Sequence, residues 1–368
     1  MRFLEFTGEW QKYSLGEIGE TIIGLTYKPS DVVENNGTIV FRSSNIKNGE
    51  IDYSDLVRVN KPIKDRIITT ENDILVCARN GSQRLIGKNA IIKKEDANNT
   101  FGAFMMVYRS NENSFIRPLL STKRYFSQVG ENLGARINQI TTSDFNGFEF
   151  YFPDNHIERT KIAKLFRLID ERIVSQNKII EKLESLIRGI YKTLLGESDQ
   201  YRYLDDLCEI KKGVQVNKEE LSEKGLYYVM NGGITPSGYY DLYNTEANTI
   251  SISEGGNSCG YVQYNYTPFW SGGHCYTLEN ISDVVDDRYL FHYLKANELQ
   301  IMSLRIGSGL PNIQKKDLSA FRIPLPALNK QINIAKALDA LLYKITVDKN
   351  IYSTYKQQKE YLLQQMFI

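Results

Sequence analysis

Residues 144–153 read DFNGFEFYFP and residues 158–166 read ERTKIAKLF, and this stretch decides the fold because it occurs twice. The second copy reads DLSAFRIPLP at 317–326 and KQINIAKAL at 330–338. In each copy a short apolar run reaches a proline and then leads into a helical pattern. Duplication of a half-chain predicts two similar modules in one pseudo-symmetric arrangement, which suits a target that itself has two halves.

The length and the distribution of charge add to this prediction. A chain of 368 residues exceeds what one hydrophobic core usually holds, so we expect two domains. The formal net charge of +1 indicates no particular partner. It is unevenly spread, because residues 156–195 and 327–368 carry net charges of +4 and +3 whereas residues 196–326 carry −6. That acidic segment argues against a simple basic DNA-binding lobe.

The cysteines and the apolar runs predict the cellular compartment. The four cysteines form no C-x-x-C pair and are too sparse for a disulfide framework, which favours a reducing interior. No apolar run approaches the roughly 20 residues of a membrane span, and the first residues do not resemble a signal peptide. We therefore expect a cytoplasmic protein that does not enter a membrane.

Two segments alternate short strand-like runs with Gly and Asn turns. The strands predicted in residues 1–155 lie at 37–41, 73–77 and 104–108, and those predicted in residues 196–326 lie at 227–230, 249–253 and 275–278. Each segment also has an amphipathic helical stretch near its end, at 115–129 and at 287–302. Each segment is therefore predicted to be a mixed α+β domain.

The segments 156–195 and 327–368 have a different pattern, with spacings of three and four residues that are typical of a coiled-coil seam. The seam positions are Ile169, Ile173, Gln176, Ile180, Leu183, Ile187, Ile190 and Leu194 in the first segment, and Ile345, Asp348, Tyr352, Tyr355, Lys359, Leu362 and Met366 in the second. We expect the two seams to pair with each other. The alternative is two amphipathic helices that pack on their own domains, but the absence of Pro and Gly from 157–188 favours the coiled coil.

The order of these pieces resembles a known family. The opening RFLEFTGEW at 2–10, followed by LGEI at 15–18, is similar to the start of specificity subunits of type I restriction-modification systems. The segment IPLP at 323–326, which leads through Gln331 into a helix, resembles the family's junction between a recognition domain and a conserved helix. The first-half junction around Phe152 matches more loosely. The resemblance covers essentially the whole chain.

The resemblance implies an α+β architecture with two target-recognition domains, at 1–155 and 196–326. The conserved helices at 156–195 and 327–368 would form an antiparallel coiled coil between them. Each domain would read one half of a bipartite sequence in double-stranded DNA. The implied protein partners are two methylation subunits, which carry S-adenosylmethionine-dependent adenine methylation, and motor-nuclease subunits, which carry ATP-driven translocation and cleavage.

Motifs for chemistry on this chain are lacking. The sequence contains no P-loop, no H-E-x-x-H and no Asn-Pro-Pro-aromatic motif, and Gly307-Ser308-Gly309 does not continue as a dinucleotide fingerprint. Cys259, His274 and Cys275 suggest part of a zinc site, but a fourth ligand at finger-like spacing is missing and buried cysteines in strands are the commoner explanation. We expect no catalytic residue, no cofactor and no metal.

The candidate DNA-contacting residues lie in polar, Gly-containing loops, because Arg can bind guanine and Asn or Gln can bind adenine with two hydrogen bonds. In the first domain they are Arg42, Ser43, Ser44, Asn45, Lys47, Arg79, Asn80, Ser82, Gln83 and Arg84. In the second domain they are Asn231, Gly232, Gly255, Gly256, Asn257, Ser258, Tyr261 and His274, with Lys211, Lys212, Lys315 and Lys316 as phosphate contacts. The alternative for each loop is a solvated turn, and for His274 a plain hairpin turn.

Three hypotheses for function remain at this point. The first is a non-catalytic DNA-specificity subunit that scaffolds methylation and motor-nuclease subunits. The second is a fused DNA methyltransferase or nuclease, which binding of S-adenosylmethionine by the isolated chain would support. The third is a structural coiled-coil linker with two protein-binding domains, which duplex binding restricted to a two-part sequence would exclude.

Overall fold

The computed structural model describes residues 2–133, 138–193, 195, 198–307 and 311–367. The chain forms two compact units, one of residues 1–175 with 352–368 and one of residues 176–351. Each unit contains a mixed α/β domain together with a part of each of two long helices.

The first half of the chain consists of short elements up to residue 155 and one long helix after it. Its strands are β1 (Trp10–Ser14), β2 (Glu20–Ile23), β3 (Val32–Val33), β4 (Thr38–Phe41), β5 (Ile46–Lys47), β6 (Glu50–Ile51), β7 (Val57–Val59), β8 (Ile74–Cys77), β9 (Asn89–Ile91), β10 (Thr100–Phe101), β11 (Met105–Arg109) and β12 (Glu149–Pro153). Its helices are α1 (Leu15–Ile18), α2 (Asn113–Leu119), α3 (Lys123–Leu133), α4 (Thr142–Asn146) and α5 (His156–Thr193).

The second half of the chain likewise consists of short strands and helices followed by one long helix. Its strands are β13 (Tyr201–Tyr203), β14 (Glu209–Lys212), β15 (Tyr227–Met230), β16 (Gly238–Tyr240), β17 (Thr249–Ser253), β18 (Val262–Asn265), β19 (Trp270–Ser271), β20 (Cys275–Glu279) and β21 (Arg322–Pro324). Its helices are α6 (Asp287–Ala296), α7 (Glu298–Ser303), α8 (Lys315–Ser319) and α9 (Leu328–Met366).

The main sheets of the two units have the same strand order, although the sheet around β4 has an additional strand, β3, in the first unit. The antiparallel sheet β2-β11-β8-β9 of the first unit corresponds to β14-β20-β17-β18 of the second. In the first unit β4 pairs antiparallel with β7 and parallel with β10, and in the second β15 pairs antiparallel with β16 and parallel with β19. The pair β1–β12 leads into α5, as β13–β21 leads into α9. The predicted duplication of two mixed α/β domains is confirmed.

The amphipathic stretches that the sequence predicts are each broken into two helices. In the first unit α2 contains Pro118, and the Thr122 hydroxyl donates to the Leu119 carbonyl and accepts from the Tyr125 amide. These contacts satisfy backbone groups at the break between α2 and α3. In the second unit the Asn297 side chain donates to the Tyr293 carbonyl at 2.8 Å, at the junction of α6 and α7. Both predicted stretches are therefore helical, with a break in each that the amphipathic pattern did not indicate.

Two glycines show how closely the backbones of the units correspond. A Cβ atom on Gly24 would clash with the carbonyl oxygens of Phe101 and Gly102, and one on Gly213 would clash with those of Ser271 and Gly272. These clashes are with backbone atoms, which cannot rotate away. Only glycine therefore permits this close approach of two segments in each unit.

The hydrophobic cores draw on both long helices. In the first unit the core contains an aromatic cluster around Phe115 and Phe152, and Leu363 from α9 packs with it. In the second unit the core includes Leu278 from the sheet and Leu338 from α9. The apolar faces of the helices are thus removed from water by the domains as well as by each other.

The long helices pack together and run antiparallel in the first unit. Early in α5, the Phe166 ring stacks on the ring of Phe367, with centroids 5.6 Å apart. Four residues later, Asp170 pairs at 2.7 Å with Lys359, which lies earlier in the chain than Phe367. Because progress along α5 meets decreasing residue numbers in the C-terminal segment, the two directions are opposite.

Polar seam positions pair in the second unit. The Gln176 side-chain amide donates to the Asp348 carboxylate at 2.7 Å, and Lys344 lies 3.0 Å from the same oxygen. The structure buries or half-buries every seam position predicted within the described residues. Leu194, the last predicted position of the first seam, lies outside the described residues.

Candidate nucleic-acid interface

The two candidate loops of the first unit meet. They follow β4 and β8, and the Asn80 side-chain amide donates to the Ser43 hydroxyl at 2.9 Å. Arg42 and Arg79 line the same cleft of about 790 Å³, together with Phe104 from the segment before β11. The fold therefore brings together loops that are separated by about 35 residues in the sequence.

The two arginines of this cleft differ in how far their guanidinium groups are exposed and whether they are paired with an acid. Arg79 is exposed, and its guanidinium lies 5.1 Å from the ring centroid of Phe104, which is itself 59% exposed. Arg42 is half-buried and pairs with Asp55 at 2.9 Å. An arginine stacked on an exposed aromatic ring keeps its donors available for a guanine edge or a phosphate, so Arg79 is the better placed of the two.

The other candidates of the first unit divide by exposure. Ser44, Lys47, Ser82, Gln83 and Arg84 are exposed, although Lys47 pairs with Asp52 at 2.6 Å. Asn45 is fully buried, where its oxygen accepts from the Arg42 amide and its amide donates to the Asp52 and Asp55 carbonyls. Asn45 therefore shapes the loop, and its interpretation as a DNA contact is corrected because its side chain is enclosed and occupied.

The corresponding loops of the second unit meet as well. The Asn231 side-chain oxygen accepts from the His274 amide at 3.0 Å. The Ser253 hydroxyl donates to the Gly232 carbonyl at 2.7 Å. The loops after β15 and β17 and the segment before β20 are thus tied together.

Backbone hydrogen bonds establish which residues of the two units are equivalent. The Ala78 amide donates to the Phe104 carbonyl at 3.0 Å, and the Glu254 amide donates to the His274 carbonyl at 2.9 Å. The segments that lead into β11 and β20 also make matching bonds. The Gly102 amide donates to the Phe41 carbonyl, and the Gly272 amide donates to the Met230 carbonyl. Phe104 therefore corresponds to His274, and Ala78 corresponds to Glu254.

The second unit places a carboxylate where the first has a methyl group. The Glu254 side chain is only 9% exposed, and one of its oxygens accepts from Lys212 at 2.6 Å and from the Tyr276 hydroxyl at 3.3 Å. Burial and the neighbouring carboxylate raise the pKa of Tyr276 to about 12, so this hydroxyl remains a donor at neutral pH. The two equivalent sites therefore differ in charge.

The remaining candidates of the second unit lie around this site or on its flanks. Gly232, Gly255, Gly256 and Ser258 are half-buried, and Asn257 and His274 are exposed. Tyr261 is half-buried beneath Lys295, whose ammonium lies 4.0 Å from its ring centroid. Lys315 and Lys316 are exposed in α8, but Lys211 pairs with Glu279 at 3.2 Å and Lys212 pairs with Glu254. Both lysines of β14 are therefore partly neutralised by acidic partners.

Sequence reasoning missed Phe104, which was expected inside a strand. Glu254 opens the loop 254–258 that the sequence indicated, but it was not among the residues selected from that loop. Alignment of the two half-chains on their strands would have placed Phe104 opposite His274 and indicated both positions.

The cysteines of the second unit are buried thiols. Burial raises the pKa of Cys275 to about 11 and also raises that of Cys259, so neither is a reactive thiolate at neutral pH. Within the described residues, no group of three or more His, Cys, Asp or Glu side chains is arranged to hold a metal ion. In the same part of the chain, no helix is both long and apolar enough to span a membrane.

Comparison with known proteins gives relatives of one kind. A protein of Mycoplasma pneumoniae described as a type I specificity subunit is 38% identical over 39% of this chain and 38% of its own length. This chain thus matches well under two thirds of that relative. A specificity subunit of a type I restriction enzyme from Methanocaldococcus jannaschii is 26% identical over 92% of this chain and 88% of its own length.

The fold has a close counterpart among solved structures. The type I restriction-modification S subunit of M. genitalium superimposes with a TM-score of 0.74 at 20% identity, over 100% of this chain and 99% of that one. A family model described as type I restriction modification DNA specificity domain matches residues 7–185 and 198–356. The two matched ranges account for most of the chain, and the chain therefore belongs to the type I restriction-modification DNA specificity family.

Proposed function

We propose that this chain is the DNA-specificity subunit of a type I restriction-modification complex and that each unit reads one half of a bipartite sequence. The observation that carries the proposal is that two loops meet in the same way in each unit. In the first unit they follow β4 and β8, and in the second they follow β15 and β17. Two sites on equivalent backbones with different side chains suit a target whose halves differ in sequence.

The DNA contacts proposed for the first unit centre on Arg79, with Asn80, Ser82, Gln83 and Arg84 beside it. Exposure of Arg79, Ser82, Gln83 and Arg84 and the stacking of Arg79 on Phe104 support this assignment, while the half-buried Asn80 is held beside them by its hydrogen bond to Ser43. In the second unit the proposed contacts are Asn257 and His274, with Lys315 and Lys316 at phosphates. We keep residues 1–155 and 196–326 as the two recognition domains and residues 156–195 and 327–368 as the conserved helices.

The proposed partners are methylation subunits, two per chain, and motor-nuclease subunits. The chemistry of methylation and cleavage would then lie on those subunits, and this chain would act without a catalytic residue or cofactor in the cytoplasm. The near-neutral net charge supports the need for partners, because a chain of charge +1 offers limited counterion release on DNA. Specific binding should therefore be tighter in the complex than for the chain alone.

Sequencing of methylated adenines tests this proposal. The chain is co-expressed with the methylation subunit of its own system in cells that lack other adenine methylation. We expect one bipartite motif with two defined blocks and an undefined spacer. A motif that forms a single block, or methylation that does not depend on this chain, would contradict the proposal.

A second experiment tests the role of the methylation subunit and the alternative of a fused methyltransferase. Labelled duplex carrying the motif is titrated with the chain alone and with the chain plus the methylation subunit, at several salt concentrations. We expect higher affinity and a steeper salt dependence with the partner. Equal affinity and equal salt dependence would contradict the role of the partner, and binding of S-adenosylmethionine by the isolated chain would favour a fused methyltransferase.

A further inference from the structure

The carboxylate of Glu254 is incompletely satisfied. One oxygen, Oε1, accepts from Lys212 and Tyr276, but the other, Oε2, is buried and has no hydrogen-bond partner within the described residues. Nδ1 of His274 lies 3.6 Å from Oε2, which is beyond hydrogen-bonding distance. The His274 side chain beside this oxygen is 65% exposed.

A structural role alone does not explain this arrangement. Burial of a carboxylate is unfavourable unless its oxygens are hydrogen-bonded, and an unpaired oxygen forfeits part of the compensation. The equivalent position in the first unit is Ala78, so the shared backbone does not require an acid there. An unsatisfied acceptor that the fold does not need, in a loop cluster at the surface, has the properties of a group kept for a ligand.

We propose that Oε2 of Glu254 accepts a hydrogen bond from the exocyclic amino group of a base in the DNA major groove. This inference rests on the proposed function and deepens it. The amino groups of cytosine N4 and adenine N6 are the donors at that edge, whereas thymine and guanine present carbonyl oxygens there. A carboxylate attracts the first pair and repels the second, so Glu254 selects cytosine or adenine at one position.

His274 acts as the cover of this acceptor. Its backbone is fixed by the bonds to Asn231 and Glu254, but its ring is exposed and only its side chain must rotate to uncover Oε2. Gly255 and Gly256 follow Glu254 in the sequence, and Gly273 precedes His274, so the residues next to both side chains add no side chain of their own. In this proposal, rotation of the His274 side chain admits the base edge to the carboxylate.

Duplexes with single amino groups removed provide the test. Once the bipartite motif is known, each cytosine in it is replaced in turn by 2-pyrimidinone and each adenine by purine, and the affinity of the complex of this chain with its methylation subunit is measured. Because the replacement also weakens base pairing, the same replacements in the spacer give the reference. We expect one position at which removal of the amino group weakens binding about tenfold or more beyond that reference.

Two variants connect that position to Glu254. In Glu254→Gln the extra loss at that position should fall below about twofold, because Lys212 holds the amide oxygen at the place of Oε1 and the amide nitrogen, which donates and cannot accept, takes the place of Oε2. Glu279→Gln is the matched control, since Glu279 also pairs with a lysine of β14 and the substitution changes the charge equally. The control should retain the full effect of removing the amino group.

The outcomes separate the two proposals. A wild-type chain that selects no bipartite motif contradicts the proposed function itself. A bipartite motif with no sensitive amino group, or a sensitive position that stays sensitive in Glu254→Gln, overturns the role of Glu254. If Glu254→Gln unfolds, Glu254→Asp takes its place in the experiment. It retains the charge beside Lys212, but its side chain is one methylene shorter, so its oxygens lie farther from the base. A full effect of amino-group removal in that variant would overturn the inference equally.

Discussion

The loop clusters of the two units share a backbone and differ in chemistry. In the first unit, Arg79 stands on the exposed ring of Phe104 and offers hydrogen-bond donors. In the second, Glu254 lies beside the exposed ring of His274 and has an unpaired acceptor oxygen. Backbone hydrogen bonds at equivalent positions support both clusters, and side-chain bonds of Asn80, Asn231 and Ser253 add to them.

This comparison shows that backbone contacts maintain the fold, whereas the side chains of the loops determine what each site can bind. Backbone bonds and close approaches of glycine do not depend on the side chains of the loops, so those side chains can change without loss of the fold. A site that presents donors selects acceptors on a base, and a site that presents an acceptor selects donors. Under the proposed function, the same architecture therefore serves two unlike half-sites.

The shared backbone is tested by adding one methyl group in each unit. Gly24→Ala and Gly213→Ala should each lower the free energy of unfolding by about 2 to 4 kcal/mol, because the new Cβ atom meets backbone carbonyls that must shift. Thermal or urea unfolding measures this loss. In Gly81→Ala the new atom meets nothing within 4 Å, so that control should change stability by less than about 0.5 kcal/mol. A harmless substitution at Gly24 or Gly213 would mean that the close approach is not required.

The donor character of the first unit is tested at Arg79. Arg79→Ala should cost about 1 to 3 kcal/mol of discrimination at one base of a single half-site, as measured by competition between duplexes. Arg124→Ala is the matched control, because Arg124 also lies over an exposed ring, that of Tyr151, with 5.4 Å between its guanidinium and the ring centroid. Equal losses in both variants would indicate a general effect of charge rather than base recognition.

Removal of the side-chain hydrogen bonds that join the loops should have the smallest effect on stability. Asn80→Ala removes the bond to Ser43 in the first unit, and Asn231→Ala removes the bond to the His274 amide in the second. Each should lower unfolding free energy by about 0.5 to 1.5 kcal/mol, measured by urea unfolding, because one hydrogen bond contributes about that much. Each should also weaken only its own half-site. A tie whose loss affects the opposite half-site would show that the two clusters are coupled.

The sequence was sufficient for the repeated fold but only partly for the sites. Strands such as 227–230 and 249–253 were predicted from their apolar runs, since burial in a sheet leaves a periodic signal. The breaks after α2 and α6 depend on side chains that cap helix ends within a continuous amphipathic pattern, so periodicity did not reveal them. Asn45 and Lys47 were selected for residue type alone, and their enclosure or pairing follows from contacts that sequence spacing does not encode.

The measurement that tests the central claim most directly is selection of bound duplexes from a randomised library, performed in parallel with wild type, Arg79→Ala and Glu254→Gln, each in complex with the methylation subunit. The account predicts two sequence blocks for wild type, with Arg79→Ala relaxing one position in one block and Glu254→Gln relaxing one position in the other. Alteration of the same block by both variants, or of both blocks by either, would contradict it.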